Sequence, residues 1–309
     1  MSAARASTRR LQRVVVHAVL RSGEHLFVVP GPHDGVGGDG PGDVLPAVVL
    51  RHGESPSEGL RRALAAAGVG GVRTGAPLSA RSVVSRRVTP GGPLDVHTVH
   101  LVHAVTLLHG GHLGDPPRGD RHGRWVQAAA LPELPVAADG AFAAAVEQAP
   151  GAPGEDGAPV RRQRLAAYAV VVAGERMLLT RLSPRTPSPG RWTLPGGGVD
   201  HGEHPCDAAV REVREETGMD VDVDALVEVG SEHFTGRSPA GVLEDFHALR
   251  VVVTATARQV REPVVLDVGG STDLARWVPL EQAPSLGLVG VAARGLQVAR
   301  RAVGQAAGA

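Results

Sequence analysis

Three carboxylates, Glu212, Glu215 and Glu216, stand three and four residues apart in the run Arg211-Glu212-Val213-Arg214-Glu215-Glu216-Thr217-Gly218. On a helix, that spacing puts all three on one face with neighbouring Cβ atoms about 5–6 Å apart. Unneutralised, such a cluster repels itself. A hard dication such as Mg2+ or Mn2+ takes oxygen ligands and keeps part of its shell for water or phosphate oxygens, so the face suits a metal beside a diphosphate. The chemistry on offer is activation of water and neutralisation of charge developing on phosphorus. Arg211, four residues before Glu215, is placed to hold that carboxylate as a bidentate partner.

The surroundings of the run separate it from an ordinary solvated helix laced with salt bridges, which is how Arg-Glu-Val-Arg-Glu-Glu reads in isolation. Gly197 is followed after five residues by Glu203, and Glu203 after seven by Arg211. Glu203, just ahead of the helix, is expected as a further ligand or as a capping acid near the positive helix end. Gly196 to Gly198 read as a tight turn that lets the backbone approach a ligand, with a carbonyl near Gly197 available to the metal. Gly218 suits the helix C-cap.

Taken together, Gly197, Glu203, Arg211, Glu212, Glu215, Glu216 and Gly218 resemble the Nudix box at every defining position. The resemblance implies hydrolysis of a phosphoanhydride in a nucleotide or a nucleoside diphosphate derivative, with Mg2+ or Mn2+. Arg211, Glu212, Glu215 and Glu216 are then the catalytic set, and Gly197, Glu203, Glu212, Glu215 and Glu216 the metal site. The family often adds an acid from a loop beyond the helix, for which Glu244, Asp245 and Asp273 are candidates. His233 and Phe234 could meet a substrate base by polar contact and stacking, although Phe234 alone reads as core. Tyr168 and Trp192 read first as packing residues and second as the lining of a base pocket. Cys206 reads as a small apolar residue rather than a nucleophile. Two rival readings keep the fold without turnover: a nucleotide-sensing binding protein and an assembly scaffold.

To position these groups the chain needs a helix over about Pro205–Thr217, delivered by strands. Strands are expected at Leu165–Val172, Glu175–Arg181, Trp192–Leu194, Leu226–Phe234 and Phe246–Thr256, with a last strand from Arg276 and a closing helix over Val291–Ala302. Strands flanking helices in this order predict a sheet sandwiched between helices.

The same pattern occurs twice. Leu45-Pro46 answers Leu194-Pro195 and His52-Gly53-Glu54 answers His201-Gly202-Glu203; Arg124-Trp125-Val126 answers Arg276-Trp277-Val278, all at offsets near 150. Repetition in order points to duplication. The expected fold is therefore α/β, two tandem Nudix-like α/β/α sandwich domains with mixed sheets. The divisions are a degenerate domain at 1–147, a Pro- and Gly-rich linker at 148–160 and a catalytic domain at 161–309.

Aligning Glu54 with Glu203 sets Arg61-Arg62-Ala63-Leu64-Ala65-Ala66-Ala67-Gly68 against the metal helix, with one residue missing and every helix carboxylate gone. Ala47-Val48-Val49 replaces the glycines. A face of Ala and Arg cannot hold a dication, which leaves packing, homodimerisation or ligand binding to the first half.

Charge and composition exclude several classes. Lys plus Arg equal Asp plus Glu at 32 each, so no field draws in nucleic acid or an anionic membrane. One cysteine rules out an internal disulfide framework and fits a reducing, cytoplasmic setting. Near the start, Arg9, Arg10 and Arg13 precede Val14-Val15-Val16, but His17 and Arg21 interrupt the apolar stretch, so it reads as a strand and not a signal peptide. The expected partner is a small nucleotide.

Overall fold

In the computed structural model, residues 8–31, 42–113, 123–130, 158–238 and 241–307 are described. The chain divides into two compact units, Met1–Gly151 and Ala152–Ala309. The proposed linker falls mostly on residues 148–157, outside the described residues. Each unit is a mixed α/β body built on one seven-stranded sheet.

The first unit runs β1 (Arg9–Ser22), β2 (His25–Pro30), β3 (Asp43–Val44), β4 (Ala47–Val49), α1 (Pro56–Ala66), β5 (Val69–Thr89), β6 (Gly92–Leu113) and β7 (Arg124–Gln127). Its sheet order is β3-β2-β1-β6-β5, with β4 on β1 and β7 on β2. The second unit runs β8 (Val160–Ala173), β9 (Arg176–Leu182), β10 (Trp192–Thr193), β11 (Gly196–Gly198), α2 (Pro205–Thr217), β12 (Val221–Arg237), β13 (Leu243–Ala257), β14 (Thr272–Pro279) and α3 (Gly290–Ala307). Here the order is β10-β9-β8-β13-β12, with β11 on β8 and β14 on β9. Strand for strand, one topology is used twice, including the parallel pairs β1–β6 and β8–β13.

In the second unit, β8 alternates between two buried faces, so it reads as a nearly continuous apolar run. Val170 packs with Met177, Leu179, Trp192, Leu194, Val252, Val278 and the α3 residues Val291, Ala292, Leu296 and Ala299. Fully burying side chains of this size contributes roughly 1.5–3 kcal/mol each. The opposite parity, Ala167, Ala169 and Val171, faces α2, which buries Ala208, Ala209 and Val213. α2 and α3 thus cover opposite faces of the sheet.

Several expectations change in detail. Gly196–Gly198 is not a turn but a short strand antiparallel to Ala166–Tyr168, because glycines on an edge can pair while staying close to the helix behind them. The hairpin β12–β13 is longer at both ends than its apolar centre suggested, since polar residues continue the ladder. The last strand begins at Thr272, four residues ahead of Arg276. Among the described residues no helix is long and apolar enough to cross a membrane.

Candidate active site

Helix α2 starts where the sequence allows it to. His204 takes the N-cap, its Nδ1 accepting the Cys206 N–H at 3.1 Å, and Pro205 at the first helical position forfeits no hydrogen bond. Gly218 ends it in the left-handed region at φ 69°, a conformation that a Cβ penalises. Glu203 is therefore not the cap.

Glu203 instead grips Arg211. The guanidinium donates from Nε to Glu203 Oε1 at 2.8 Å and from Nη2 to Oε2 at 3.0 Å, the fork geometry that suits a carboxylate. Nη2 also donates to the Gly198 carbonyl at 2.9 Å, and Nη1 reaches Glu212 at 2.9 Å and Glu215 at 3.2 Å. The expected bidentate pair with Glu215 is thus a single contact. Helical spacing brings Glu215 within reach of Arg211, but Glu203 approaches side-on and takes the Nε–Nη2 edge, leaving Nη1 for Glu212 and Glu215. One cation in this way gathers three carboxylates and a strand carbonyl, and these bonds hold the Arg211 pKa above its already high value.

Gly197 is needed for close approach. A Cβ there would lie 2.6 Å from the Glu212 carboxylate, so the glycine leaves the space that Glu212 occupies. Burial raises the Glu212 pKa despite the neighbouring Arg211. Glu215 is the exposed member, with 45% of its side chain accessible. Glu216 is the opposite extreme at 4%. Its Oε2 accepts the Gly196 N–H at 2.9 Å and its Oε1 the Thr272 hydroxyl at 2.5 Å. Burial lifts its pKa to about 7, beyond what these donors can offset, and the charge of Glu212 adds to the rise. A groove of about 910 Å3 opens beside the cluster, lined among others by Glu203, Arg211, Arg214, Glu215 and Leu266.

Four acids outnumber the two guanidinium groups beside them, Arg211 and Arg164, and two of those acids have a raised pKa. Residues 162–297, which include that cluster, match the family model described as NUDIX domain. Residues 162–297 form a NUDIX domain. An RNA pyrophosphohydrolase of Bartonella quintana (strain Toulouse) is 66% identical over 29 residues, 9% of this chain and 17% of that protein. Nudix hydrolase 2 of Arabidopsis thaliana is 26% identical over 123 residues, 39% of this chain and 40% of that protein. The chain thus spans less than half the length of these two curated relatives. The crystal structure of a MutT NUDIX hydrolase from Burkholderia pseudomallei is 29% identical, covering 44% of this chain and 97% of that one, at a TM-score of 0.35.

Around the NUDIX helix, the other sequence candidates scatter. Tyr168 sits opposite Gly196 on β8, hydrogen-bonds Arg250, and has its pKa raised by burial, so it borders the cluster. Trp192 is buried in the α3 core. Asp273 is held by Arg181 at 2.8 Å, Glu244 by Arg162 at 2.7 Å, and Asp245 by His233 at 2.5 Å. Phe234 is not core: it is 51% exposed and packs on Phe246, because the hairpin carries it past the body of the sheet. Phe246 pairs with Arg162 whereas Gly198 pairs with Ala166, four residues along β8 and two strands away, with His233 and Phe234 one strand further on β12. At about 3.3 Å per residue and 4.8 Å per strand, His233, Phe234, Glu244 and Asp245 lie on the order of 20 Å from Gly197. Sequence reasoning missed Thr272 and Ser271, whose hydroxyls face Glu216.

The first unit keeps the frame of this site without its acids. Arg62 donates to Glu54 from Nε and Nη2, both at 2.7 Å, and to the Val49 carbonyl at 2.9 Å, the counterparts of Glu203 and Gly198. Burial works against ionisation of Glu54, yet the Arg62 and Arg51 N–H donors hold its pKa below the ordinary value. Arg62, not Arg61, thus matches Arg211. The missing residue falls at the C-terminal turn, since Gly68 follows Arg62 by six positions and Gly218 follows Arg211 by seven. Where Gly197 leaves room for Glu212, the first unit has Val48 and Ala63, so a strand side chain replaces a helix carboxylate.

Proposed function

We propose that the second unit is a divalent-metal-dependent pyrophosphohydrolase acting on a nucleotide or a nucleoside diphosphate derivative. The observation that carries this reading is the convergence of Glu203, Glu212 and Glu215 on Arg211, with Glu216 buried beside them. The donor set fits Mg2+ or Mn2+: carboxylate oxygens only, four of these groups against the two guanidinium charges of Arg211 and Arg164. Glu212, Glu215 and Glu216 would hold the ion, with Glu203 fixing Arg211 and the Gly197 strand closing one side. When bound, the ion supplies a Lewis acid for the diphosphate and an acidified water.

The chain's own residues do the rest. Arg211 keeps the carboxylates at fixed separation, so no reorganisation is needed as charge develops on phosphorus. Without the ion, burial lifts the Glu216 pKa to about 7, so this side chain would give up its proton as the metal binds. Overall, a bond forms between water oxygen and phosphorus, the anhydride oxygen leaves with the second phosphate, and the proton of the water passes to a carboxylate or to solvent. Tyr168, next to Gly196, is the sequence candidate for a base contact that borders the carboxylates.

We infer further that residues 1–147 are a non-catalytic counterpart, 148–160 a linker and 161–309 the catalytic domain. The absence of carboxylates at Ala63, Ala66 and Ala67 supports this division. The lone Cys206 fits a cytoplasmic setting. The test is a panel of nucleoside triphosphates, nucleotide sugars and dinucleotides with Mg2+ or Mn2+, reading released phosphate or monophosphate. Turnover by the full chain should collapse when Glu215 and Glu216 are both replaced by alanine. Turnover that survives this double replacement overturns the reading.

A further inference from the structure

Strand β14 enters the sheet through an irregularity with a definite consequence. Its pairing with β9 jumps from Thr272↔Leu182 to Leu274↔Arg181, leaving Asp273 as an extra residue. Leu274 and Val278 face the α3 cluster. By plain alternation Thr272 would share that face. The inserted residue turns it to the other side, where α2 lies, and bulges of this kind re-aim side chains. The bulge is braced: Arg181 holds Asp273 at 2.8 Å, while the Ser183 N–H donates to the Ser271 carbonyl at 2.8 Å and the Ser183 hydroxyl to the Gly270 carbonyl at 2.9 Å.

Re-aimed in this way, the buried Thr272 hydroxyl donates to Glu216 Oε1 at 2.5 Å, and the Ser271 hydroxyl stands 3.4 Å from the same oxygen. The other oxygen, Oε2, takes the Gly196 N–H at 2.9 Å. Glu216 is therefore clamped by two different strands, β11 at one oxygen and β14 at the other. Fixed donors on both oxygens, with Thr272 and the more distant Ser271 at Oε1 and Gly196 at Oε2, define the plane of the carboxylate and leave a lone pair of Oε2 in a set direction. Partners of this kind orient metal ligands and tune their affinity.

We propose that Thr272 is a positioning residue: through the Asp273 bulge it fixes the plane of the Glu216 carboxylate, and thereby the affinity of the helix for a divalent cation. This rests on the metal-dependent reading above. Thr272 touches neither substrate nor reacting atoms; it acts through Glu216.

The test uses the full chain and Mn2+ alone, with uptake measured by calorimetry or by electron paramagnetic resonance, alongside the nucleotide panel. Thr272→Val keeps the shape and removes the donor, so Mn2+ affinity should fall roughly 10- to 100-fold. Thr272→Ser restores the hydroxyl and should restore the affinity, while melting temperature stays close to wild type in both. Thr272→Ala, which lacks both γ substituents, should match the valine variant. Wild-type affinity in the valine variant overturns the proposal, and so does a serine variant as weak as valine, which would assign the residue to packing. If neither hydroxyl-free variant folds, Thr272 is a folding residue and the proposal fails. Hydroxyl-dependent Mn2+ uptake without hydrolysis of any nucleotide would retain this inference and remove the enzymatic one. A wild-type chain that takes up no Mn2+ overturns both.

Discussion

Metal uptake by the NUDIX domain should release close to one proton from Glu216 at pH 6 and almost none at pH 8. Burial, aided by the charge of Glu212, pushes this carboxyl from its ordinary 4.5 to about 7, against the pull of Thr272 and Gly196. A group of that pKa is about 90% protonated at pH 6 and about 10% at pH 8. Since the ion requires the carboxylate, the expected release is roughly 0.9 and 0.1 proton per ion, and apparent affinity should rise about tenfold per pH unit until it levels near pH 7. Glu212, whose pKa burial also raises, adds to the release. The same shift sets the stability of the metal-free protein. Because the folded pKa is the higher one, the stabilising contribution is fully present below pH 4.5 and is lost as pH rises to 7, a swing on the order of 3 kcal/mol. Calorimetric titration with Mg2+ in buffers of different ionisation enthalpy counts the protons, with Glu216→Gln as the control. Equal release at pH 6 and 8, or unchanged release in the Gln variant, would refute the reasoning.

Three other perturbations probe separate parts of the site. Arg211→Lys keeps the charge but loses the fork that joins Glu203, Gly198, Glu212 and Glu215, so Mn2+ affinity or turnover should drop roughly 10- to 100-fold; near-normal values would deny Arg211 its organising role. Gly197→Ala places a Cβ 2.6 Å from the Glu212 carboxylate, and metal uptake measured by calorimetry should weaken while circular dichroism stays native. In the first unit, Glu54→Gln removes the charged partner of Arg62 and should cost about 1 kcal/mol in chemical denaturation, with nucleotide turnover unchanged. A loss of turnover there would give the first unit a part in the chemistry.

How far the sequence could be read depended on whether a contact was local. Helix α2 has the bounds expected from its residues, because the carboxylate spacing and Gly218 lie within one element, although the cap is His204 and not Glu203. The repeat was also legible, since the paired motifs mark the same turns of the same topology in both units. Arg211 was assigned to Glu215 from helical spacing, whereas the preferred partner, Glu203, comes from the segment ahead of the helix and approaches in a direction that periodicity does not encode. Thr272 escaped notice for a related reason: only a one-residue bulge turns it toward Glu216 across 56 positions of sequence. Phe234 was read as core on hydrophobicity, but its strand outruns the sheet that would have covered it.

The claim on which the rest depends is that the carboxylates of α2 capture a divalent cation. Anomalous diffraction from crystals of the full chain soaked in Mn2+ and a non-hydrolysable nucleoside diphosphate analogue locates that ion directly. An anomalous peak is expected within about 2.2 Å of oxygens from Glu212, Glu215 and Glu216, with the diphosphate against it. Mn2+ bound elsewhere, or a bound analogue whose phosphates lie away from α2, would contradict it.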